Sequence, residues 1–276
     1  MPMNYYCLIA GLPEIEIENQ KSDFTIADFK KEVRPQLSNE DARLLDLFYL
    51  KFDNQNLLRY LNNKDVQIDE HGNLSKEELE DGLRLLSEDV EPDNPMFPDY
   101  FKRFISEYRD AQQTDTPASK WENRLTELYY TWAMNCNNKL ISKWFSFNLN
   151  LNNILIACTC KKYQMEVEPV GDNEVAESIK KSNQRDFGLS GTLEELDIFQ
   201  RLAEEQDWYE REKKIDLLKW QWLDEQTFFN YFSIERVFAY LIKLEIIERW
   251  KNLDPVSGKK IFKELIDKLK GEVVKR

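Results

Sequence analysis

The sequence predicts an all-α protein. Of its 276 residues, 42% are hydrophobic and 13% are aromatic, which supplies enough apolar surface for a folded core. Only eight residues are glycine, too few for the many tight turns of a protein built from hairpins. Apolar residues recur at spacings of three and four, the period of a helix that buries one face. Together these observations predict mostly helix; an elongated array of helices is one architecture that 276 residues allow, and two ordinary domains are the other.

The N-terminal elements are predicted from their caps and breaks. The apolar residues 4–10 fit either a short strand or a helix, and the segment Gly11–Pro13 ends them. A helix is expected from Thr25 to Val33. The next begins at Ser38, where a serine followed three residues later by an acid resembles a capping box.

Polar corners divide the following helices. We expect the Asp53–Asn56 corner to end one helix, so that Leu57 opens a separate short helix. Ser75 and Glu78 form a capping box for the next one. Three prolines within residues 91–98 mark a connection, and a further helix is expected over residues 98–112.

The second half of the chain follows a link at residues 114–117. This link divides the chain into predicted segments 1–113 and 118–276, which we expect to form one continuous architecture. Helices are expected over residues 118–147 and 150–164. A capping box at Thr192–Glu195 begins a helix that could extend to Gln226.

The segment Phe232–Trp250 is predicted to be a helix with two apolar faces. At about 100° per residue, six apolar residues share one broad face. They are Ile234, Val237, Tyr240, Leu241, Leu244 and Ile247. A second stripe consists of Phe238, Ile242, Ile246 and Trp250. The second stripe is a candidate interface with a partner, and packing inside the chain is the alternative.

Two stretches resemble each other when the sequence is offset by 97 residues. Phe48, Asp53 and Asn56 then correspond to Phe145, Asn150 and Asn153. Both stretches predict an aromatic helix, an Asp/Asn corner and an aliphatic helix. The similarity favours two or three pseudo-repeats of one helical unit, although chance similarity between helical corners explains it as well.

Charge and hydropathy limit the partners and the compartment. A net charge of −13 argues against nucleic acid and against general binding to anionic lipid. No run of about 20 apolar residues predicts a membrane span, and the N-terminal residues do not resemble a secretion signal. We expect a cytoplasmic protein whose four cysteines are buried thiols.

The usual catalytic motifs are missing from the sequence. His71 is the only histidine, and the chain has no phosphate-binding glycine loop and no nucleophile elbow. We therefore expect a non-enzyme without a cofactor, and an enzyme that uses scattered carboxylates is the alternative. Cys158 and Cys160 have poor geometry for a shared zinc ion. The stretch Gln67–Glu78 copies part of a calcium loop, but Gln67 stands where calcium requires an aspartate.

Three parts of the sequence resemble known families. The segment Phe232–Trp250 resembles the end of the C (eukaryotic d) subunit of V/A-type rotary ATPases. The matching signature positions are Ile234, Glu235, Val237, Ala239, Tyr240, Lys243 and Glu245. The two Asp/Asn corners resemble repeated corners of the same ATPase component. Residues 4–13 and 24–29 resemble an uncharacterised bacterial family of similar length, a domain of unknown function whose genes tend to accompany rotary ATPase genes.

The resemblance implies a fold and a role. The implied fold is an all-helical funnel of pseudo-repeats on the cytoplasmic side of a membrane rotor ring, with a socket for the rotary axle. The implied role is that of a non-catalytic central-stalk subunit, peripheral to the inner membrane, in proton or sodium transport. Its partners would be the other ATPase subunits. A soluble helical scaffold or adaptor unrelated to rotary ATPases is the alternative.

Overall fold

The computed structural model describes residues 5–17, 23–111 and 118–252. In these ranges it has eleven α-helices, one single-turn 3-10 helix and no strand, so the predicted all-α class is confirmed. The funnel-like arrangement stays a prediction. The helices are α1 (Tyr6–Gly11), α2 (Ile26–Glu32), α3 (Asn39–Asn62), α4 (Lys76–Ser87), α5 (Asp99–Asp110), α6 (Ala118–Met134), α7 (Lys139–Lys162), α8 (Glu174–Lys181), α9 (Leu196–Glu204), α10 (Trp208–Thr227) and α11 (Ile234–Asn252).

The chain divides into two compact units. Unit 1 combines Met1–Ser38 with Asp216–Arg276, and unit 2 is Asn39–Ile215. The boundary between them falls inside α10. The predicted link at residues 114–117 lies outside the described residues, and the segments 1–113 and 118–276 stay a prediction.

Side-chain caps begin several helices where the sequence predicts them. The Thr25 hydroxyl accepts a hydrogen bond from the Asp28 backbone N–H, and the Asp28 carboxylate accepts one from the Thr25 N–H. Ser75 and Glu78 form the same reciprocal pair at the start of α4, at 3.2 and 2.8 Å. Each box satisfies backbone donors that the first helical turn leaves without a partner.

The predicted corner at Asp53–Asn56 and the predicted helix break at residues 148–149, next to the Asn150–Asn153 corner, are wrong. α3 runs without a break through the first, and α7 runs without a break through the second. The break of the second region lies instead at residues 135–138, between α6 and α7. There the side chain of Asn138 accepts hydrogen bonds from the Leu140 and Ile141 N–H groups and begins α7.

The predicted long helix from Thr192 to Gln226 is also wrong, because residues 205–207 are not helical and separate two helices. Thr192 lies in a turn, and α9 begins at Leu196 without a side-chain cap. The carboxylate of Asp207 accepts hydrogen bonds from the Tyr209 and Glu210 N–H groups. Asp207 therefore caps the start of α10 and separates it from α9.

Unit 2 is organised around α7, which packs against α6, α8 and α9. α6 also packs against α3 and α5. Aromatic rings fill these interfaces: Phe147 meets Phe199 edge to face at 5.6 Å, and Tyr129 meets Phe145 in the same way at 5.7 Å. This dense apolar packing gives the unit a core of its own.

Candidate functional site

The signature positions lie on α11 in unit 1, and most of them are buried. Ile234, Val237, Ala239 and Lys243 are buried, whereas Glu235, Tyr240 and Glu245 are half-buried. A helix that buries residues at nearly every turn must be covered on several sides. The signature therefore describes a central structural helix of its unit.

Tyr240 ties α11 to the N-terminal part of unit 1. Its hydroxyl donates a hydrogen bond to the Pro13 carbonyl at 2.9 Å, and its ring stacks on Phe29 with centroids 5.8 Å apart. Burial raises the pKa of the Tyr240 hydroxyl to about 12. The neutral hydroxyl is thus a stable donor over the ordinary pH range.

Lys243 belongs to a charge cluster that joins α11 to α10. Its ammonium lies 2.5 Å from Oδ1 of Asp224 and 4.5 Å from the centre of the Trp220 ring. The guanidinium of Arg236 donates to the same carboxylate oxygen at 3.2 Å and to the Thr227 hydroxyl at 3.1 Å. Desolvation lowers the pKa of Lys243, although the nearby Asp224 carboxylate opposes this shift.

The candidate interface stripe, Phe238, Ile242, Ile246 and Trp250, is buried throughout. The indole N–H of Trp250 donates to the buried carboxylate of Asp216 at 2.6 Å, and Arg249 pairs with the same carboxylate. Burial together with this polar anchor favours packing inside the chain, the alternative interpretation of the stripe.

A cavity of about 360 Å³ in unit 1 adjoins the signature. Tyr240, Lys243 and Arg236 line one part of it, and the segment from Ile9 to Ile15 lines another. Lys243 and Arg236 each pair with the Asp224 carboxylate, so these two cations of the cavity already have a counter-ion. The cavity is large enough for a small ligand.

In unit 2 the first Asp/Asn pair fastens a loop to the middle of α3. The Asp53 carboxylate accepts hydrogen bonds from the N–H groups of Asn73 and Leu74, at 2.9 and 3.0 Å. The Asn56 amide donates to the Asp69 carbonyl and accepts from the Asp69 N–H, at 2.9 and 2.7 Å. We call this arrangement the first clamp.

The second pair forms an equivalent arrangement on α7. The Asn153 amide donates to the Val170 carbonyl at 2.8 Å and accepts from the Val170 N–H at 2.9 Å. Asn150 accepts a hydrogen bond from the side chain of Asn173, the residue that caps α8. In this second clamp Asn153 holds Val170 as Asn56 holds Asp69, whereas Asn150 bonds to a side chain and not to two backbone N–H groups as Asp53 does.

The calcium-like stretch supplies the loop that the first clamp holds. The Asp69 carboxylate accepts from the His71 N–H at 2.9 Å and lies 2.6 Å from the His71 ring nitrogen Nδ1. At Gly72 a Cβ atom would lie 2.5 Å from the Asp53 carboxylate, so a side chain there would push the clamp apart. The Asp69 carboxylate is therefore engaged with His71, inside the loop itself. Among the residues that the structure describes, no cluster of three or more His, Cys, Asp or Glu could hold a metal ion.

Three features of unit 1 are not predicted from the sequence. The carboxylates of Asp216 and Asp224 organise the ion pairs of α11, but in the sequence they look like ordinary charges on a solvated helix. The third is the loop between α10 and α11, where Phe228, Phe229 and Tyr231 are 72%, 91% and 52% exposed. We call these three residues the aromatic tip. The concentration of aromatic residues over 228–232 is a signal that could have identified it.

Comparisons with known proteins give a family. No described helix is long and apolar enough to cross a membrane. A search of curated proteins found no match. A family model described as a protein of unknown function, DUF2764, matches residues 2–273. That match spans nearly the whole sequence, so the chain belongs to the DUF2764 family.

Proposed function

We propose that the chain is a non-catalytic central-stalk subunit of a bacterial V/A-type rotary ATPase. In this role it couples the rotary axle to the membrane ring on the cytoplasmic face of the inner membrane, and it takes part in proton or sodium transport. The other subunits hydrolyse nucleotide and carry the ions.

The observation that carries the proposal is the pair of clamps. The resemblance to the central-stalk component of these ATPases includes two Asp/Asn corners, and here the second asparagine of each corner performs the same task on a long helix. Asn56 and Asn153 each bind both backbone groups of a single loop residue. A repeated helical unit of this kind agrees with a pseudo-repeat architecture.

The signature on α11 supports the same proposal. Its positions hold α11 in place through Tyr240 to Pro13 and through Lys243 to Asp224. A subunit that transmits torque needs such contacts between its segments, because it transmits torque only if its helices keep their relative positions.

A soluble helical adaptor is the second candidate function. The aromatic tip agrees with an adaptor as well as it agrees with a central-stalk subunit. Three exposed aromatic side chains indicate a protein partner without indicating which one. The two candidates differ in the identity of that partner, and this difference makes them separable by experiment.

The test is isolation of the native complex. The chain is tagged at its own locus, membranes are solubilised in a mild detergent, and the bound proteins are quantified by mass spectrometry. We expect the catalytic and ring subunits in a fixed ratio to the tagged chain. Membrane vesicles from a strain that lacks the gene should lose ATP-driven ion uptake and regain it when the gene is restored.

The control is a strain with the same tag on an unrelated cytoplasmic protein. If the chain is recovered as a clean monomer, or with a stable set of partners that contains no rotary ATPase subunit, the coupling role is excluded. In the second case the adaptor role remains.

A further inference from the structure

The cavity beside the signature contains hydrogen-bond donors that no described acceptor uses. The ammonium of Lys243 has three N–H groups and its side chain is only 7% exposed, but among the described residues it meets just Oδ1 of Asp224 and the ring of Trp220. In Arg236, Nη1 donates to Asp224 and to Thr227, whereas Nη2 and Nε have no acceptor in the described part of the chain. Because donors held away from bulk water normally have acceptors, both side chains are open to a further one.

The charges around these donors favour an anion. Lys243 and Arg236 carry two positive charges, and both contact the same oxygen of a single carboxylate, that of Asp224. Glu14 also lines the cavity and brings the formal charge of these four groups to zero. Glu14 is exposed, however, so water and salt screen its charge, whereas Lys243 is buried and is screened less. The donors therefore lie where positive charge is in excess.

The size and lining of the cavity suit a small organic molecule. Arg236 and Lys243 lie about two turns apart on one face of α11, so both can reach one polar group. The segment from Ile9 to Ile15 supplies the apolar part of the lining. A cavity of about 150 Å³ accommodates benzene, so this one, at about 360 Å³, has room for roughly ten to fifteen non-hydrogen atoms.

We propose that this cavity binds a small organic anion, with its carboxylate or phosphate group held by Arg236 and Lys243 and its apolar part against the segment from Ile9 to Ile15. The oxygens of the ligand accept hydrogen bonds from the unused N–H groups, while both cations stay paired with Asp224. Carboxylate and phosphate share the pair of oxygens that the fork of an arginine recognises. This inference goes beyond the coupling role and does not depend on it.

The test is a titration of the isolated full-length chain, labelled with ¹⁵N, at constant ionic strength. Three probes share a phenyl ring: phenylacetate and phenyl phosphate carry an anionic group, and 2-phenylacetamide is the matched neutral molecule. We expect both anions to cause saturable shifts of backbone amides in α11 and in the segment from Ile9 to Ile15, with a dissociation constant on the order of 1 mM for probes of this size. The amide should bind at least tenfold more weakly. The anion that binds more tightly identifies the head group.

Two substitutions test the assigned donors and the screened acid. Arg236→Gln should weaken phenylacetate binding at least tenfold, whereas Lys251→Gln, which removes a positive charge from the same helix outside the cavity lining, should leave it unchanged. Glu14→Gln should strengthen binding about two- to fivefold, because it removes a like charge. Glu14 is exposed, so this variant is expected to fold even if Arg236→Gln does not.

The remaining outcomes overturn the site. Equal binding of 2-phenylacetamide shows that no anion is recognised, and shifts that do not saturate or that lie in unit 2 show nonspecific association. If neither anion binds, or if folded Arg236→Gln and Glu14→Gln chains bind like the wild type, Arg236 and Lys243 hold no ligand. All of these measurements use the isolated chain, so they neither support nor exclude rotary ATPase subunits as partners, and the native complex tests that role separately.

Discussion

Asn56 and Asn153 each use one amide to bind two backbone groups of a single loop residue. Both side chains are almost fully buried, so water cannot replace these hydrogen bonds if the amide is removed. A buried backbone N–H without a partner costs free energy that a buried alkyl group does not recover. Loss of either amide therefore leaves two buried backbone groups of unit 2 without their partner.

Asn56→Ala should lower the free energy of unfolding by about 1–3 kcal/mol, measured by urea denaturation. Hydrogen exchange of the Asp69 amide should accelerate while that of Val170 is unchanged. Asn153→Ala should give the reverse pattern and serves as the matched control. Acceleration of both amides in both variants would show that the clamps do not act separately.

Tyr240 gives a prediction that depends on pH. Its pKa is raised from 10.0 to about 12 in the folded protein. The folded state therefore retains this proton more strongly than the unfolded state, and the resulting stability is complete below pH 10 and is lost as the pH rises through about 12. The difference in unfolding free energy between the wild type and Tyr240→Phe should shrink over this range. Parallel stability curves over the same range would contradict the assignment.

The residue types at the clamps can be identified from the sequence, but their partners cannot. Asp and Asn inside a helix usually compete with the helix by bonding to the nearby backbone, and for this reason the sequence predicts corners. Asp53 and Asn56 instead bond to a loop that returns to α3, 13 to 21 residues later. Their own helix loses nothing, and α3 continues.

Helix α11 shows what double burial requires of an element. Its apolar residues are covered on both faces. Near its C-terminal end, Arg249 pairs with Asp216 of α10, and Glu248 accepts a hydrogen bond from the Ile26 N–H of α2. Lys243, the charged residue at the centre of α11, is paired with Asp224, and a charge added to either apolar face would be buried away from water.

Ile242→Glu should prevent stable folding or reduce the unfolding free energy by more than about 3 kcal/mol, because it buries a carboxylate without a designed partner. Ile156→Glu is the matched control: it makes the same change on α7 at a side chain that is 42% exposed. Thermal denaturation followed by circular dichroism compares them. A soluble, fully stable Ile242→Glu chain would show that this stripe is not part of the core.

The sequence predicts helix boundaries well where a cap acts locally and poorly where several caps compete. Thr25 and Ser75 bond to residues three positions ahead, so the local sequence contains both partners. Asp207 also caps locally, but the capping box at Thr192 is the stronger pattern and predicts one long helix. Its threonine lies in a turn whose backbone bonds reach Leu189 instead. Tertiary packing decides between such competing signals.

At the scale of the molecule, the chain has two units with different connectivity. Unit 2 is one continuous stretch, whereas unit 1 draws on both ends of the described chain. The two stretches that resemble each other lie on α3 and α7, and both helices belong to unit 2. The similarity at an offset of 97 residues can be seen in the sequence, but the assignment of α11 and the N-terminal segments to a common unit cannot, because it depends on contacts across more than 200 residues.

The fragment of residues 39–215 should fold alone, because its core is made within that stretch. We expect a helical circular dichroism spectrum and a single cooperative urea transition. The fragment of residues 216–276 should lack a cooperative transition, since Tyr240 and Glu248 lose their N-terminal partners. A broad transition for the first fragment would contradict the independence of unit 2.

The backbone N–H of Ile26 donates a hydrogen bond to the carboxylate of Glu248, a residue that is translated 222 residues later. At about 5–20 residues per second, synthesis takes roughly 10–45 s to reach it. During that interval the rings and aliphatic groups of α2 have no native cover from α11. α2 therefore gains its native cover only after α11 has been made, and we expect its apolar side chains to stay open to chaperones until then.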